Sequence, residues 1–205
     1  MIPRGIFVNR AGIEMVPTMK KLPLRQRIIE AAFRLFDERG IQHVSVDAIA
    51  VAAETTKMGV YRHFSSKDVL VDDWLTATIA KYRGVLDEIE HLHPDDPHAQ
   101  LRKWVNHVLE GLPAISHRGC PFVNTIAEVP DPEHPLRQKI RHHKLDQVER
   151  LKALCRKAGL SDPNTAAAQI TFMLEGAQVA AQNGSLPAIE KSLATLTREM
   201  LSERK

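Results

Sequence analysis

The chain has 205 residues, 43% hydrophobic and 26% charged, with a formal net charge of +3. That length holds one small helical unit and a second domain of about 130 residues with a core of its own. No apolar run reaches the roughly 18 to 20 residues of a membrane span, residues 1–21 lack a signal-peptide pattern, and two cysteines, Cys120 and Cys155, fit a reducing compartment. A cytoplasmic protein outside the membrane is therefore expected.

Residues 1–21 read as a flexible N-terminal arm, either a basic segment that touches a minor groove or a tail ahead of a start at Met19. Leu24, Ile28, Ala31, Ala32, Leu35 and Phe36 then recur at helical spacing, and Gly40 closes that amphipathic helix. Ser45 is suited to cap a second helix whose inner face is Val46, Ile49, Ala50 and Ala53. Glu54-Thr55-Thr56 breaks the periodicity and offers two hydroxyls to start a third helix, predicted over Lys57 to Phe64. Val60, Tyr61 and Phe64 give it an inward face, while Thr56, Lys57, Gly59, Arg62 and His63 point outward. Ser65 to Asp68 reads as a capping box that opens a fourth helix. Two short helices, a tight turn and a polar, basic second helix form a helix-turn-helix over residues 22–66, the arrangement that places side chains in a DNA groove.

Charge agrees with that placement. From Lys20 to Lys67 there are nine Lys or Arg and five acids, a net of +4, so the remainder of the chain is net negative. Cations are concentrated where phosphates would lie.

Residues 67–205 read as a larger helical domain. A long helix runs from about Lys67 to about Glu90. Asp96 caps the next and Pro97 occupies its first turn, with Leu101, Trp104, Val105, Val108, Leu109 and Leu112 as its apolar face. Gly119-Cys120-Pro121 opens a short helix, Phe122 to Val129. Pro130, Pro132 and Pro135 separate it from a helix reaching Ala158 and capped by Gly159. Asp162-Pro163 begins a helix rich in small residues that ends at Asn183-Gly184, and Ile189, Leu193, Leu196 and Met200 stripe a last one. The total is about nine helices and an all-α fold.

Arg27-Ile-Ile, Ala31-Ala32, Leu35-Phe36, Gly40, Val44-Ser45-Val46, Ile49-Ala50, Ala53, Tyr61-Arg62-His63-Phe64 and Lys67-Asp68 resemble the N-terminal domain of TetR-family transcriptional repressors. The resemblance covers roughly residues 24 to 72. It implies a homodimer that binds a pseudo-palindromic operator in double-stranded DNA, and a C-terminal domain that takes a small-molecule effector and carries the dimer interface. By position, Thr55, Thr56, Lys57, Gly59, Tyr61, Arg62 and His63 are assigned to the DNA, with Ser45 and Lys67 holding phosphate from helix N-termini. Tyr61 has the alternative of a core residue with only its hydroxyl exposed, and His63 that of a helix cap. Two positions depart from the family pattern: Glu54 stands where the turn commonly has Gly, and Gly59 where Thr, Ser or Asn is frequent. Gly59 is either drift or a device for closer approach to the groove.

The segment Arg118 to Asn124, followed by Glu128, resembles a stretch seen in the ligand domain of a subset of the family. Trp104, His107, Cys120, Phe122, Asn124, Phe172, Met173 and Glu175 are the candidate effector contacts, a mixture suited to a small, partly apolar ligand; each has the alternative of plain core. Cys120 is either an oxidant-sensing thiol or a buried inert one. The dimer interface is assigned to Ala166, Ile170, Ala177, Ala181, Ile189, Leu193, Leu196 and Met200, a pattern that intrachain packing also explains. His91, His93, His142 and His143 lack ligand companions at metal spacing and read as surface, so no metal, cofactor or catalytic group is expected. A helical hydrolase built on His91, His93 and Asp95 is the alternative from another class, and an architectural DNA binder without an effector is a third.

Overall fold

In the computed structural model, residues 7–8, 14–15, 22–112, 118–187, 192, 193, 195, 196 and 199 are described. Helix starts predicted from proline and its capping neighbours lie where the chain places them. The elements are β1 (Phe7–Val8), β2 (Glu14–Met15), α1 (Leu24–Arg39), α2 (Val46–Ala52), α3 (Lys57–Tyr61), α4 (Lys67–Leu92), α5 (Pro97–Gly111), α6 (Pro121–Glu128), α7 (Pro135–Lys157) and α8 (Pro163–Gln182). Apart from the two-residue antiparallel ladder of β1 and β2, every one is a helix. The ninth expected helix is helical at its described positions 186–187, 192–193, 195–196 and 199. Ile189 and Met200 lie outside the described residues.

Local chemistry explains the ends. Asp96 accepts from the Ala99 amide at 2.8 Å and Asp162 from the Thr165 amide at 3.1 Å, each followed by Pro at the first helical position, where no amide is needed. α7 and α8 both finish in the same motif: Gly159 and Gly184 take positive φ, 74° and 79°, and the next residue donates back to the carbonyl five positions earlier, Leu160 to Cys155 and Ser185 to Ala180. One cap differs from expectation. The hydroxyl that receives an amide at the start of α4 is that of Ser66, from Val69 at 3.3 Å, one residue later than the predicted Ser65.

The chain forms two units, Met1–Trp74 and Leu75–Lys205. In the first, Ile28, Ala31, Ala32, Leu35 and Phe36 of α1 are buried with Ile41, Val44, Ile49, Ala50, Ala53, Val60 and Phe64. The first two turns of α4 complete that core with Leu70, Val71 and Trp74. Trp74 meets the Phe36 ring edge-on at 6.0 Å and donates its indole N–H to Asp37 at 2.9 Å, so its polar end is satisfied while its ring is buried.

In the second unit, Leu86 of α4, Leu101, Trp104 and Val105 of α5, Leu151, Leu154 and Cys155 of α7, and Ala167, Ile170 and Leu174 of α8 form one apolar cluster. Leu112, Ala177 and Leu193 form a second. Arg150 of α7 forks between Asp87 and Glu90 of α4, 2.9 Å from each. Among the described residues no helix is long and apolar enough to cross a membrane.

Candidate functional site

Everything on the outer face of α3 depends on how the α2–α3 turn is made. Ser45 caps α2 through the Ala48 amide at 3.1 Å, and Thr56 caps α3 through the Gly59 amide at 3.0 Å. Between them the Glu54 amide reaches Val51 and the Thr55 amide reaches Ala50, the same backbone closure that ends α7 and α8. Glu54 has φ 52° and is the one non-Gly residue at positive φ among those described. The family departure noted at Glu54 is thus a real backbone cost, since a Cβ in that region clashes with the following carbonyl.

The turn leaves Thr56, Lys57, Met58, Tyr61, Arg62 and His63 exposed, with Val60 and Phe64 inside. Tyr61 is 44% exposed, which removes it from the core. α3 ends at Tyr61, earlier than the predicted Phe64, although the Phe64 amide still reaches the Val60 carbonyl. Met58, 64% exposed, belongs to this face and was missed, because an apolar residue beside a polar run reads as core.

Four assigned DNA contacts need correction or refinement. Gly59 is buried rather than outward-facing. A Cβ there would stand 2.3 Å from Thr55 Oγ1, so the glycine makes room for the neighbouring threonine; Thr55 is correspondingly turned inward and half-buried. Lys67 donates to the Ile41 and Val44 carbonyls at 2.8 and 3.2 Å and thereby pins the loop between α1 and α2. Two of its three protons are used inside the protein. Lys57 is exposed but paired with Asp47 at 2.9 Å, and that hydrogen bond and charge raise its pKa.

The expected effector set is not gathered in one place. Trp104 is 5% exposed within the α5–α7–α8 cluster, and Met173 packs against both clusters. His107 is exposed and Phe172 is 74% exposed on α8, so neither lines an interior site. Glu175 is exposed and bound to Lys144 at 3.1 Å. Cys120 and Phe122 are buried at the start of α6, and Asn124 donates to the Arg118 carbonyl, bracing the turn into that helix.

What lies against Phe122 is a pair that the sequence did not suggest. Tyr82 of α4 meets its ring edge-on at 5.1 Å, and His143 of α7 lies 4.8 Å away. His143 was read as surface beside His142; His142 is exposed, but His143 is 3% exposed. The roughly 100° between adjacent helical residues that separates the two directions is what sends one inward. α6 itself is clamped: Arg118 pairs with Glu128 at 2.7 Å, and the Arg137 guanidinium donates to the Ile126 and Val129 carbonyls at 2.9 and 2.8 Å. A separate hollow of about 530 Å³ lies on the first unit between α1 and α2. Arg34, Glu38, Arg39 and Asp47 ring it, a charged rim unsuited to a partly apolar ligand.

Several dimer assignments are also corrected. Ile170, Ala177 and Leu193 are buried within the chain's own clusters, and Ala166 and Ala181 pack against them. Leu196 alone of the described set is fully outward, at 54% exposure. The open apolar positions of α8 are instead Phe172 and Val179, 74% and 54% exposed.

Comparison with known proteins agrees with this geometry. Residues 28–73 match the model for bacterial regulatory proteins of the tetR family, and residues 97–186 match the tetracyclin repressor-like C-terminal domain. The HTH-type transcriptional regulator AcrR of Shigella flexneri is 32% identical over 114 residues, 51% of this chain and 53% of that protein. The HTH-type transcriptional repressor DhaR of Mycobacterium sp. (strain GP1) is 26% identical over 111 residues, 54% of each. The chain thus spans about half the length of the curated relatives it matches. Among solved structures, a TetR-family transcriptional regulator from Streptomyces coelicolor superposes with a TM-score of 0.79 at 26% identity, over 87% of this chain and 94% of that one. The chain belongs to the tetR family of bacterial transcriptional regulators, with a helix-turn-helix DNA-binding domain ahead of a tetracyclin repressor-like domain.

Proposed function

We propose that the protein is a cytoplasmic, non-enzymatic repressor that binds a pseudo-palindromic operator as a homodimer and is released by a small, partly apolar effector. The observation that carries this reading is the outer face of α3. Lys57, Met58 and Tyr61 stand exposed on a helix whose start is fixed by Thr56 and whose base is buried through Val60, and Arg62 and His63 stand exposed in the turn just past its end. Cations and hydroxyls on such a helix suit phosphates and base edges.

The dimer reading is supported by α8. Phe172 and Val179 expose large apolar surface two turns apart, with Gly176 between them, where a partner helix can approach closely. Two recognition helices brought together by a two-fold axis read half-sites about one DNA turn apart. The effector-response reading is supported by α4, which begins at Lys67 in the DNA-reading unit and carries Tyr82 against Phe122 of α6. A ligand that displaces α6 acts directly on α4, and a coupling of about 1–3 kcal/mol is enough to empty an operator several-fold or more.

Binding-site selection from random duplex DNA tests the reading. A two-fold related consensus recovered by the purified protein is expected; recovery of unrelated sequences, bound with no preference over bulk DNA, refutes it.

A further inference from the structure

Three polar side chains are buried among the described residues, and only one is without a partner. Gln100 donates to the His93 carbonyl at 2.6 Å and Thr125 to the Pro121 carbonyl at 2.8 Å. His143, 3% exposed, has neither Nδ1 nor Nε2 within reach of a donor or acceptor. Its surroundings are aromatic: the Phe122 ring at 4.8 Å and the Tyr82 ring edge-on at 6.4 Å. Phe or Leu would fill the same volume without orphaning two polar atoms, so the fold gives no reason for an imidazole here.

We propose that His143 is the polar anchor of the effector site, and that the ligand is a small, flat, uncharged molecule, chiefly apolar, with a hydroxyl group of phenol type. The inference rests on the effector-response reading above and names the chemistry of that response. Burial, helped by the nearby Lys144 and Arg83 charges, holds the His143 pKa down to about 4. The ring is therefore neutral near pH 7, with one nitrogen accepting and the other donating. A phenol hydroxyl meets the accepting nitrogen, and its ring takes the place of the Phe122 face against the imidazole. A carboxylate is disfavoured because the neighbouring cations already have partners: Arg83 with Asp146, and Lys144 with Glu175. Displacing Phe122 moves α6, whose end clamps carry the shift to both of its termini.

The test uses full-length protein labelled with ¹⁵N histidine, titrated with p-cresol, toluene and 4-methylbenzoate while the His143 ring nitrogens are followed by NMR. Expected are a shift of one His143 nitrogen with p-cresol, binding about tenfold tighter than toluene, and the weakest binding for the benzoate. In His143→Phe the p-cresol advantage over toluene should fall to about one. Ring nitrogens unmoved by p-cresol overturn the proposal, leaving a buried water as the partner of the imidazole; so does an advantage that persists in both His143→Phe and His143→Leu. The wild-type titration decides the matter even if a variant fails to fold. The same samples are assayed on the selected duplex: silent His143 nitrogens with intact specific DNA binding sink the ligand inference alone, whereas absence of any specific duplex sinks the repressor reading whatever His143 does.

Discussion

Replacing Glu54 by Gly should make the DNA-reading unit more stable, although it removes a side chain and adds chain entropy. Three helices end in one backbone motif; two use Gly159 and Gly184 at its left-handed position, while α2 uses Glu54 at φ 52°. A residue with a Cβ costs about 1–2 kcal/mol in that region. Glycine returns about 0.5–1 kcal/mol of that through the greater freedom of its unfolded chain. The net gain is about 0.5–1 kcal/mol, worth a few degrees in the melting temperature of a unit of this size. Glu54→Ala supplies the control, because it loses the same carboxylate interactions and keeps the Cβ. Trp74 lies in the core of the first unit and Trp104 in that of the second. Urea unfolding followed by fluorescence in a Trp104→Phe background therefore reports the DNA-reading unit. Glu54→Gly should exceed Glu54→Ala in stability by about 1 kcal/mol. If Gly proves no more stable than Ala, the backbone at this turn carries no strain and the reasoning fails.

Four further outcomes are expected. Lys57→Ala should lower operator affinity and reduce the salt slope by about 1, whereas Asp47→Asn, which frees Lys57 from its 2.9 Å partner, should raise affinity on all duplexes; unchanged binding in both removes Lys57 from the interface. Gly59→Ala should stabilise by about 1 kcal/mol in a Thr55→Ala background and by clearly less in wild type, where the added Cβ meets Thr55 Oγ1 at 2.3 Å; equal effects in urea melts refute that contact. Since the folded pKa of His143, about 4, lies below its ordinary 6.5, the unfolded chain takes the proton first. The neutral ring's contribution is whole above pH 6.5 and declines as pH falls toward 4, by up to about 3 kcal/mol. Urea melts followed by Trp104 fluorescence should show this fall, and His143→Phe should flatten it. Phe172→Asp should convert the proposed dimer to a 23.0 kDa particle in sedimentation; a dimer that survives the change places the interface elsewhere, and a wild-type particle of 23.0 kDa refutes the dimer itself.

The DNA-reading unit was legible because its signals are local. Ser45 and Thr56 cap the helices they precede, and the spacing of Ile49, Ala50, Ala53, Val60 and Phe64 is the spacing of one buried face. The misreadings there came from contacts across the turn. Nothing in the order of residues shows that Gly59 faces Thr55, or that Lys67 reaches back to Ile41 and Val44, 26 and 23 residues earlier.

In the second unit the same periodicity argument loses its power, because α8 has apolar residues on more than one face. Ile170, Leu174 and Ala177 recur at intervals of four and three and are buried within the chain, while Phe172 and Val179 recur at seven and are open. Both sets have helical spacing, so pattern alone cannot say which face belongs to the chain and which to a partner. Exposure separates the two faces: Ile170 and Ala177 are buried within the chain, while Phe172 and Val179 are open, and it is the open pair on which the proposed dimer interface rests. His143 failed to be read for a related reason. Its position carried a signal that its type concealed: His143 follows buried Leu136 and Ile140 by seven and three residues and precedes buried Leu151 by eight, the spacing of one helix face, yet an imidazole beside Arg141, His142, Lys144 and Asp146 reads as surface. Helical spacing could place His143 inside, but what it meets there, Phe122 and Tyr82, comes from two other helices, and that makes the proposed effector site harder to read than the helix-turn-helix.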